Sequence, residues 1–155
     1  MTDKEYMRMA IDMATANVEA DGGPFGAVIV KDGEVIGRGV NRVTASCDPT
    51  AHAEVNAIRD AAKRTGHYDL KGATIYTSCE PCPMCLGAIY WAHISKIFYG
   101  NTQADAAAID FDDSFIYRQL EKPAAERAIP QEVLLRGEAQ ETFRAWAQKP
   151  DKKEY

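Results

Sequence analysis

The sequence predicts a single α/β domain in which helices cover both faces of a β-sheet. Its 155 residues match the usual size of one domain. With 46% hydrophobic and 26% charged residues, the chain has an ordinary globular composition, unlike that of a disordered protein. Helical and β patterns alternate through the middle of the chain, which is typical of layered α/β domains.

The N-terminal elements are predicted to be one helix and a β-hairpin. Thr2 and Glu5 match a capping box, and apolar residues follow at helical spacing as far as Val18. The turn sequence Asp21-Gly22-Gly23-Pro24 should end this helix. Lys31-Asp32-Gly33-Glu34 then supplies a turn between two β-branched runs. The predicted hairpin strands are Phe25 to Val30 and Val35 to Asn41.

Two helices and two strands are predicted to follow in alternation. A polar loop from Arg42 to Pro49 leads into the first helix, which Gly66 ends. Pro81 and Pro83 suit the entrance of the second helix and not its interior. In chain order we expect a helix from Thr50 to Arg64, a strand from Ala73 to Ser78, a helix from Pro83 to Ala92 and a strand from Ile94 to Tyr99.

The C-terminal third carries weaker patterns. Asp112 or Asp113 can cap a helix there. The segment from Gln148 to Tyr155 is too polar for a core, so it is either a frayed tail or a cover over a site. The expected elements are short helices from Ala104 to Ile109 and from Ser114 to Leu120, a fifth strand from Val133 to Leu135 and a last helix from Glu138 to Ala147.

Charge and hydropathy argue against nucleic-acid and membrane partners. The 18 Lys and Arg residues against 23 Asp and Glu residues give a net charge of −5 without a basic cluster. The longest uncharged stretch, Pro81 to Ser95, is shorter than the roughly 18 residues of a membrane span. Because the first residues also lack the pattern of a secretory signal, we expect a cytoplasmic protein.

The cysteines indicate a metal site. Cys79, Cys82 and Cys85 lie within seven residues, too close together for an ordinary disulfide framework. A catalytic zinc ion takes three protein ligands and leaves its fourth position to water, and His52, Cys82 and Cys85 supply that number. All three are expected near helix N-termini, where the helix dipole favours thiolates.

Other ligand sets remain open. Cys79 could join the three ligands in a closed structural site, although its place at a strand end also suits simple packing as a small apolar residue. Cys47 has no partner at zinc-ligand spacing and is interpreted as part of a loop or pocket wall. His67 and His93 lack a comparable context and are interpreted as structural or exposed.

The predicted zinc-binding motifs resemble those of a known enzyme family. His52-Ala53-Glu54 followed by Pro81-Cys82-Pro83-Met84-Cys85 matches the signature of zinc nucleobase deaminases. The sequence resembles the cytidine deaminase-like superfamily and, within it, the bacterial guanine deaminases, over almost the whole chain. Further matching segments are Gly22 to Val30, Asp48 to Glu54, Ala88 to Ala92, Phe111 to Tyr117 and Lys152 to Tyr155.

The resemblance implies a fold, an activity and an assembly. It implies a three-layer α/β/α sandwich with a mixed sheet of about five strands, formed by residues 1–155 as one deaminase domain. The implied reaction is the zinc-dependent hydrolysis of guanine to xanthine and ammonia, with one Zn²⁺ per subunit and Glu54 as general acid and base. It also implies a homodimer in which residues from about 140 to 155 are exchanged to close the partner's pocket.

The resemblance also implies substrate-binding residues, for most of which an ordinary alternative stays open. Asn41 would bind a purine edge or be a turn residue, and Phe25 would form an apolar wall or part of the core. Asp113 would meet the donor groups of guanine or cap a helix, and Asp112 could exchange roles with it. The other implied residues are Ala53, Tyr155 and Trp91. Tyr155 would close the pocket. Trp91 would pack in the core or at a dimer interface, or it would reach the substrate across that interface.

Proteins with several different functions carry the same zinc-binding motifs. Guanosine and related aminopurines or aminotriazines also carry an amino-bearing ring carbon. Transfer-RNA adenosine deamination requires attraction of a polyanion, which the net charge disfavours. Cytosine or cytidine deamination is disfavoured by the C-terminal third, and a zinc-stabilised scaffold without activity would not need Glu54 beside an open site.

Overall fold

The computed structural model describes residues 1–155. Every predicted helix is present, with boundaries shifted by a few residues at most, and a short additional helix interrupts the predicted polar loop. In chain order the elements are α1 (Asp3–Glu19), β1 (Gly26–Lys31), β2 (Glu34–Val40), α2 (Val43–Ser46), α3 (Ala53–Thr65), β3 (Thr74–Cys79), α4 (Pro83–Trp91), β4 (Lys96–Asn101), α5 (Gln103–Ala108), α6 (Ser114–Glu121), a 3₁₀ turn (Ala124–Glu126) and α7 (Arg136–Gln148).

The sheet is mixed and has four strands in the order β2-β1-β3-β4. Strand β1 is antiparallel to β2 and β3, whereas β3 and β4 run parallel. The predicted fifth strand is wrong, because residues 133–135 form no strand. Leu135 takes the left-handed backbone conformation, with φ 54°, immediately before α7, and this breaks the extended run.

Strand alternation produces the predicted layers. Because successive side chains point to opposite faces, Ala27 and Ile29 contribute to one core cluster, and Val28 and Val30 contribute to another. The first cluster includes buried residues of α3 and α4, and the second includes Tyr6 and Ala10 of α1. Helices therefore cover both faces of the sheet, as predicted.

Glycines allow α3 to lie directly against β2. A Cβ atom added to Gly39 would be 2.2 Å from the Ala53 carbonyl oxygen, and one on Gly37 would be 2.5 Å from that of Ala57. No side chain fits between the two backbones. This contact places the start of α3 beside the end of β2. His52 and Glu54 are placed there with it.

The chain divides into two compact units, Met1–Ser114 and Phe115–Tyr155. The first contains the sheet, α1 to α5 and both core clusters. In the second, no residue is buried, although α6 and α7 are well formed. No helix in either unit combines the length and apolar character needed to cross a membrane.

Candidate active site

Three potential metal ligands converge from two helix N-termini. His52 is the N-cap of α3, Cys82 is the N-cap of α4, and Cys85 lies in the first turn of α4. The Nδ1 atom of His52 is 3.5 Å from the Sγ atoms of both Cys82 and Cys85. All three donor atoms lie within 4.8 Å of one another. The structure therefore brings together the three side chains that the sequence predicts as zinc ligands.

The spacing of these atoms fits tetrahedral zinc. Zn–N bonds of about 2.0 Å and Zn–S bonds of about 2.3 Å give an N···S edge of about 3.5 Å in a tetrahedron. The two distances of 3.5 Å agree with that edge. Cys79 and Cys47 are not members of the cluster. The group of donor atoms that could hold a metal therefore has three members, and Cys79 is not one of them.

Helix-start geometry and hydrogen bonds favour thiolate at Cys82. The Cys85 side chain, His52 and the backbone N–H of Cys85 donate to this sulfur, and together they lower the pKa of Cys82. The same pairing raises the pKa of Cys85. A bound dication deprotonates coordinating thiols outright, so both sulfurs suit a metal. By contrast, burial raises the pKa of Cys79 to about 11, which keeps it a thiol.

Glu54 is a buried carboxyl group beside the ligand cluster. It lies in the first turn of α3, and only 6% of its surface is exposed. Burial raises the pKa of Glu54 to about 7, and its side chain is hydrogen-bonded to Cys85. A carboxyl group with a pKa near neutrality can both accept and donate a proton, which is the property a general acid and base needs.

Asn41 and Phe25 are joined by the backbone at the edge of the sheet. The Asn41 backbone N–H donates to the Phe25 carbonyl oxygen at 3.2 Å, and the Asn41 Oδ1 accepts from the Val43 N–H at 3.2 Å. The Phe25 ring packs against the first core cluster and meets Phe111 edge to face, at 5.0 Å between ring centroids. Asn41 thus makes a turn contact and Phe25 packs against the core, which are the ordinary alternatives that the sequence left open for them.

The two adjacent aspartates differ in their surroundings. Asp112 accepts hydrogen bonds from the Ser114 N–H and hydroxyl, a local turn contact over two residues at the start of α6. Asp113 has a buried Oδ1 atom without a hydrogen-bond partner. Burial and the nearby negative charge of Cys82 raise the pKa of Asp113. Asp113 therefore keeps a buried acceptor oxygen without a hydrogen-bond partner.

The remaining predicted site residues occupy three different settings. Ala53 is fully buried in the first turn of α3, between His52 and Glu54. Trp91 ends α4, about 12 Å along the helix from Pro83 at 1.5 Å per residue, and it is 68% exposed. The interpretation of Trp91 as a core residue is therefore wrong. Tyr155 is an exposed residue of the C-terminal unit.

Two polar residues that support the site were not predicted. The Asn56 Nδ2 atom donates to the carbonyl oxygens of Val40 and Ala51, which ties the end of β2 to the segment before His52. The buried Ser78 hydroxyl accepts from the Gly26 N–H, which links β3 to the start of β1. In the sequence, each could have been noticed only as a polar residue at a position where the surrounding pattern is apolar.

Comparison with known proteins identifies the family. Residues 1–101 match the cytidine and deoxycytidylate deaminase zinc-binding region. The chain belongs to this deaminase family. Zinc is accordingly its cofactor, in agreement with the His/Cys/Cys cluster.

Within the deaminase family, the similarity extends over the full chain in one relative. The guanine deaminase of Bacillus subtilis is 53% identical over 156 residues, covering 100% of both chains. Its X-ray structure matches with a TM-score of 0.97 and covers 100% of this chain and 99% of that chain. A structure of guanine deaminase from Nitrosomonas europaea is 32% identical, with a TM-score of 0.70, and covers 72% of this chain and 65% of that one. A tRNA-specific adenosine deaminase from Haemophilus influenzae is 38% identical over 77% of this chain and 72% of its own length.

Proposed function

We propose that this deaminase hydrolyses guanine to xanthine and ammonia. The observation that carries the proposal is the full-length match to a guanine deaminase, which includes the C-terminal third beyond the zinc-binding region. The tRNA-specific adenosine deaminase from Haemophilus influenzae covers only 77% of the chain. The net charge of −5 also disfavours a polyanionic substrate.

His52, Cys82 and Cys85 are proposed to hold one Zn²⁺ per chain. Their N···S distances support a tetrahedral arrangement with one position left for water. Zinc in such a site supplies Lewis-acid chemistry that lowers the pKa of a water molecule from 15.7 to about 7. The thiolate-favouring helix start at Cys82 supports this assignment.

Glu54 is proposed to carry both proton transfers. Its buried carboxylate takes a proton from the attacking water and gives it to the ring nitrogen beside C2 of guanine. After the new C–O bond forms, Glu54 takes the remaining proton from the new C2 hydroxyl and gives it to the amino group. The C–N bond then breaks, which releases ammonia and leaves the C2 carbonyl of xanthine. The raised pKa of Glu54 supports a group that changes protonation state twice in one turnover.

The purine base is proposed to lie between residues of the hairpin and the segment before α6. The Asn41 side chain would hydrogen-bond one purine edge, and the Phe25 ring would form an apolar wall. Asp113 would accept from the donor groups of guanine, which is supported by its buried, unpartnered oxygen. The backbone N–H of Ala53 lies in the first turn of α3, where helical N–H groups have no partner within the helix.

We further propose a homodimer in which the C-terminal segment, from about residue 140 to Tyr155, is exchanged between subunits. A unit without any buried residue does not form its own core, so residues 115–155 require another surface for stability. Large apolar side chains are exposed in this unit: Ile129, Val133, Leu134, Leu135, Phe143 and Trp146. In such a dimer Tyr155 would close the partner's pocket, and the exposed Trp91 would lie at the interface.

Two further assignments remain proposals. Residues 1–155 are proposed to act as one deaminase domain, since the matched relative covers both compact units. A cytoplasmic location is supported by the four free cysteines, which suit a reducing compartment.

Replacement of Glu54 tests the proposed reaction. The wild-type chain should release ammonia and xanthine from guanine. Glu54→Ala should keep its zinc but lose about 100- to 10,000-fold in kcat, the usual contribution of general acid–base catalysis. Zinc content by elemental analysis and product mass check both statements. Full turnover in the variant at full zinc content would remove Glu54 from the mechanism.

A further inference from the structure

We propose that Asn17 is a positioning residue for the purine-binding side of the site, because its side-chain amide fixes the two segments that present Phe25 and Asn41. The inference rests on the proposed function, in which those two residues contact the base. Asn17 belongs to the last turn of α1, an element that carries none of the proposed zinc ligands and no proposed catalytic residue.

The amide of Asn17 connects three segments of the chain. Its Nδ2 atom donates to the Gly23 carbonyl oxygen at 2.7 Å and to the Asn41 carbonyl oxygen at 2.9 Å. The Asn41 N–H donates to the Phe25 carbonyl oxygen. These bonds link the end of α1, the loop before β1 and the end of β2. Asn17 is 8% exposed, so little water is available to replace the two bonds.

The loop lies directly against both asparagine side chains. A Cβ atom on Gly22 would be 2.4 Å from the Asn17 Nδ2 atom, and one on Gly23 would be 2.9 Å from the Asn41 Cγ atom. There is no room for a methyl group on either side of the loop. A displacement of the Asn17 amide is therefore transmitted through the loop to the Asn41 side chain.

The chemistry of the site requires an amide at position 17. Both partners of Nδ2 are carbonyl oxygens, so the group that faces them must donate two hydrogen bonds. An aspartate of nearly the same volume would turn a carboxylate toward two acceptors. An alanine would leave both carbonyl groups without this donor, and the loop and strand end would lose their common support.

Tyr6 offers a matched control on the same helix. It is also buried in α1, and its hydroxyl donates to the Gly33 carbonyl oxygen at 2.9 Å in the turn between β1 and β2. Tyr6→Phe removes one bond from α1 to the hairpin, far along the hairpin from Asn41. It should lower stability without disturbing substrate binding.

The experiment compares KM and kcat for guanine in zinc-loaded wild-type, Asn17→Ala, Asn17→Asp and Tyr6→Phe proteins, each assayed below its own Tm. Both Asn17 variants should keep zinc and show a KM raised about 10- to 100-fold, the effect of a small misplacement of binding groups. Their kcat should fall less than KM rises, and Tyr6→Phe should keep the wild-type KM. Asn17→Asp retains the side-chain volume and serves if the alanine variant does not fold.

Three outcomes would overturn the inference. A wild-type KM in either folded Asn17 variant would show that Asn17 only stabilises the fold. An equal KM rise in Tyr6→Phe would show a general effect of loosening α1. If the wild-type protein does not convert guanine at all, the proposed function fails and the inference fails with it, which distinguishes that case from the first two.

Discussion

Cys79 and Cys82 are only three residues apart but have different surroundings, one suited to packing and the other to metal binding. Cys79 ends β3, where burial keeps its thiol protonated. Cys82 caps α4, where the first-turn N–H of Cys85 and the side chains of Cys85 and His52 donate to its sulfur. The two prolines that flank Cys82 were sufficient to predict the helix entrance. The spacing of the cysteines did not show whether Cys79 is a fourth zinc ligand or a packed residue. That depends on where β3 ends relative to the other three side chains.

This contrast predicts different effects of two cysteine replacements. Cys82→Ser should bind less than one zinc per chain, because it removes a proposed ligand. Cys79→Ser, the matched control, should retain the metal and lose only packing stability. Zinc content of the purified proteins and thermal unfolding check both. A loss of zinc in Cys79→Ser as well as in Cys82→Ser would favour the closed structural site.

Other residues could not be ranked from the sequence. Asp112 and Asp113 are adjacent, chemically identical and equally suited to cap a helix. Only the three-dimensional arrangement shows that Asp112 meets Ser114 whereas an oxygen of Asp113 stays buried without a partner. The role of Asn17 was hidden for a similar reason, since its two acceptors lie 6 and 24 residues away.

At the scale of elements, the site depends on the contact between β2 and α3. Gly39→Ala would place a methyl group 2.2 Å from the Ala53 carbonyl oxygen, so α3 must move. We expect a loss of about 1 to 3 kcal/mol in the free energy of unfolding, as for other overpacked sites. Zinc affinity should also fall, because His52 lies at the displaced end of α3.

Arg38→Ala is the control for this prediction. Arg38 lies between Gly37 and Gly39 but is exposed on the other side of β2. It should leave both stability and zinc affinity near the wild-type values when these are measured by thermal unfolding and by competition with a chelator. Normal zinc affinity in Gly39→Ala would show that the β2–α3 contact does not set the metal site.

The elements were predictable where local pattern and tertiary packing agree. The capping box of α1, the hairpin turn and the proline entrance of α4 all appear as expected. The start of α3 was predicted three residues early, since His52 has an extended backbone as N-cap. The fifth strand failed because three apolar residues alone do not determine a backbone conformation, and Leu135 turns into α7.

At the scale of the whole molecule, the exposed apolar surface of residues 115–155 is the feature that periodicity did not predict. The patterns of α6 and α7 are helical, but they do not say which surface covers them. The exchange of the C-terminal segment came from the family resemblance and remains a proposal. The absence of buried residues in this unit is its physical support.

Removal of residues 150–155 tests the proposed closure. The shortened chain should keep its zinc, its thermal stability and the assembly state that the full-length chain has in light scattering, because these residues are exposed and lie outside all helices and strands. Guanine turnover should fall, since the removed segment includes Tyr155, the residue proposed to close the pocket. A control chain with the same six residues in scrambled order should show the same loss. Normal turnover in the shortened protein would contradict the closure.

The central claim, that the chain is a guanine deaminase, is tested most directly by a comparison of substrates. The zinc-loaded protein would be given guanine, guanosine, adenine, cytosine, cytidine and a transfer-RNA anticodon stem, with ammonia and product mass measured together. The account predicts xanthine from guanine and little product from the others. Efficient conversion of guanosine or of the anticodon stem, with no turnover of guanine, would contradict it.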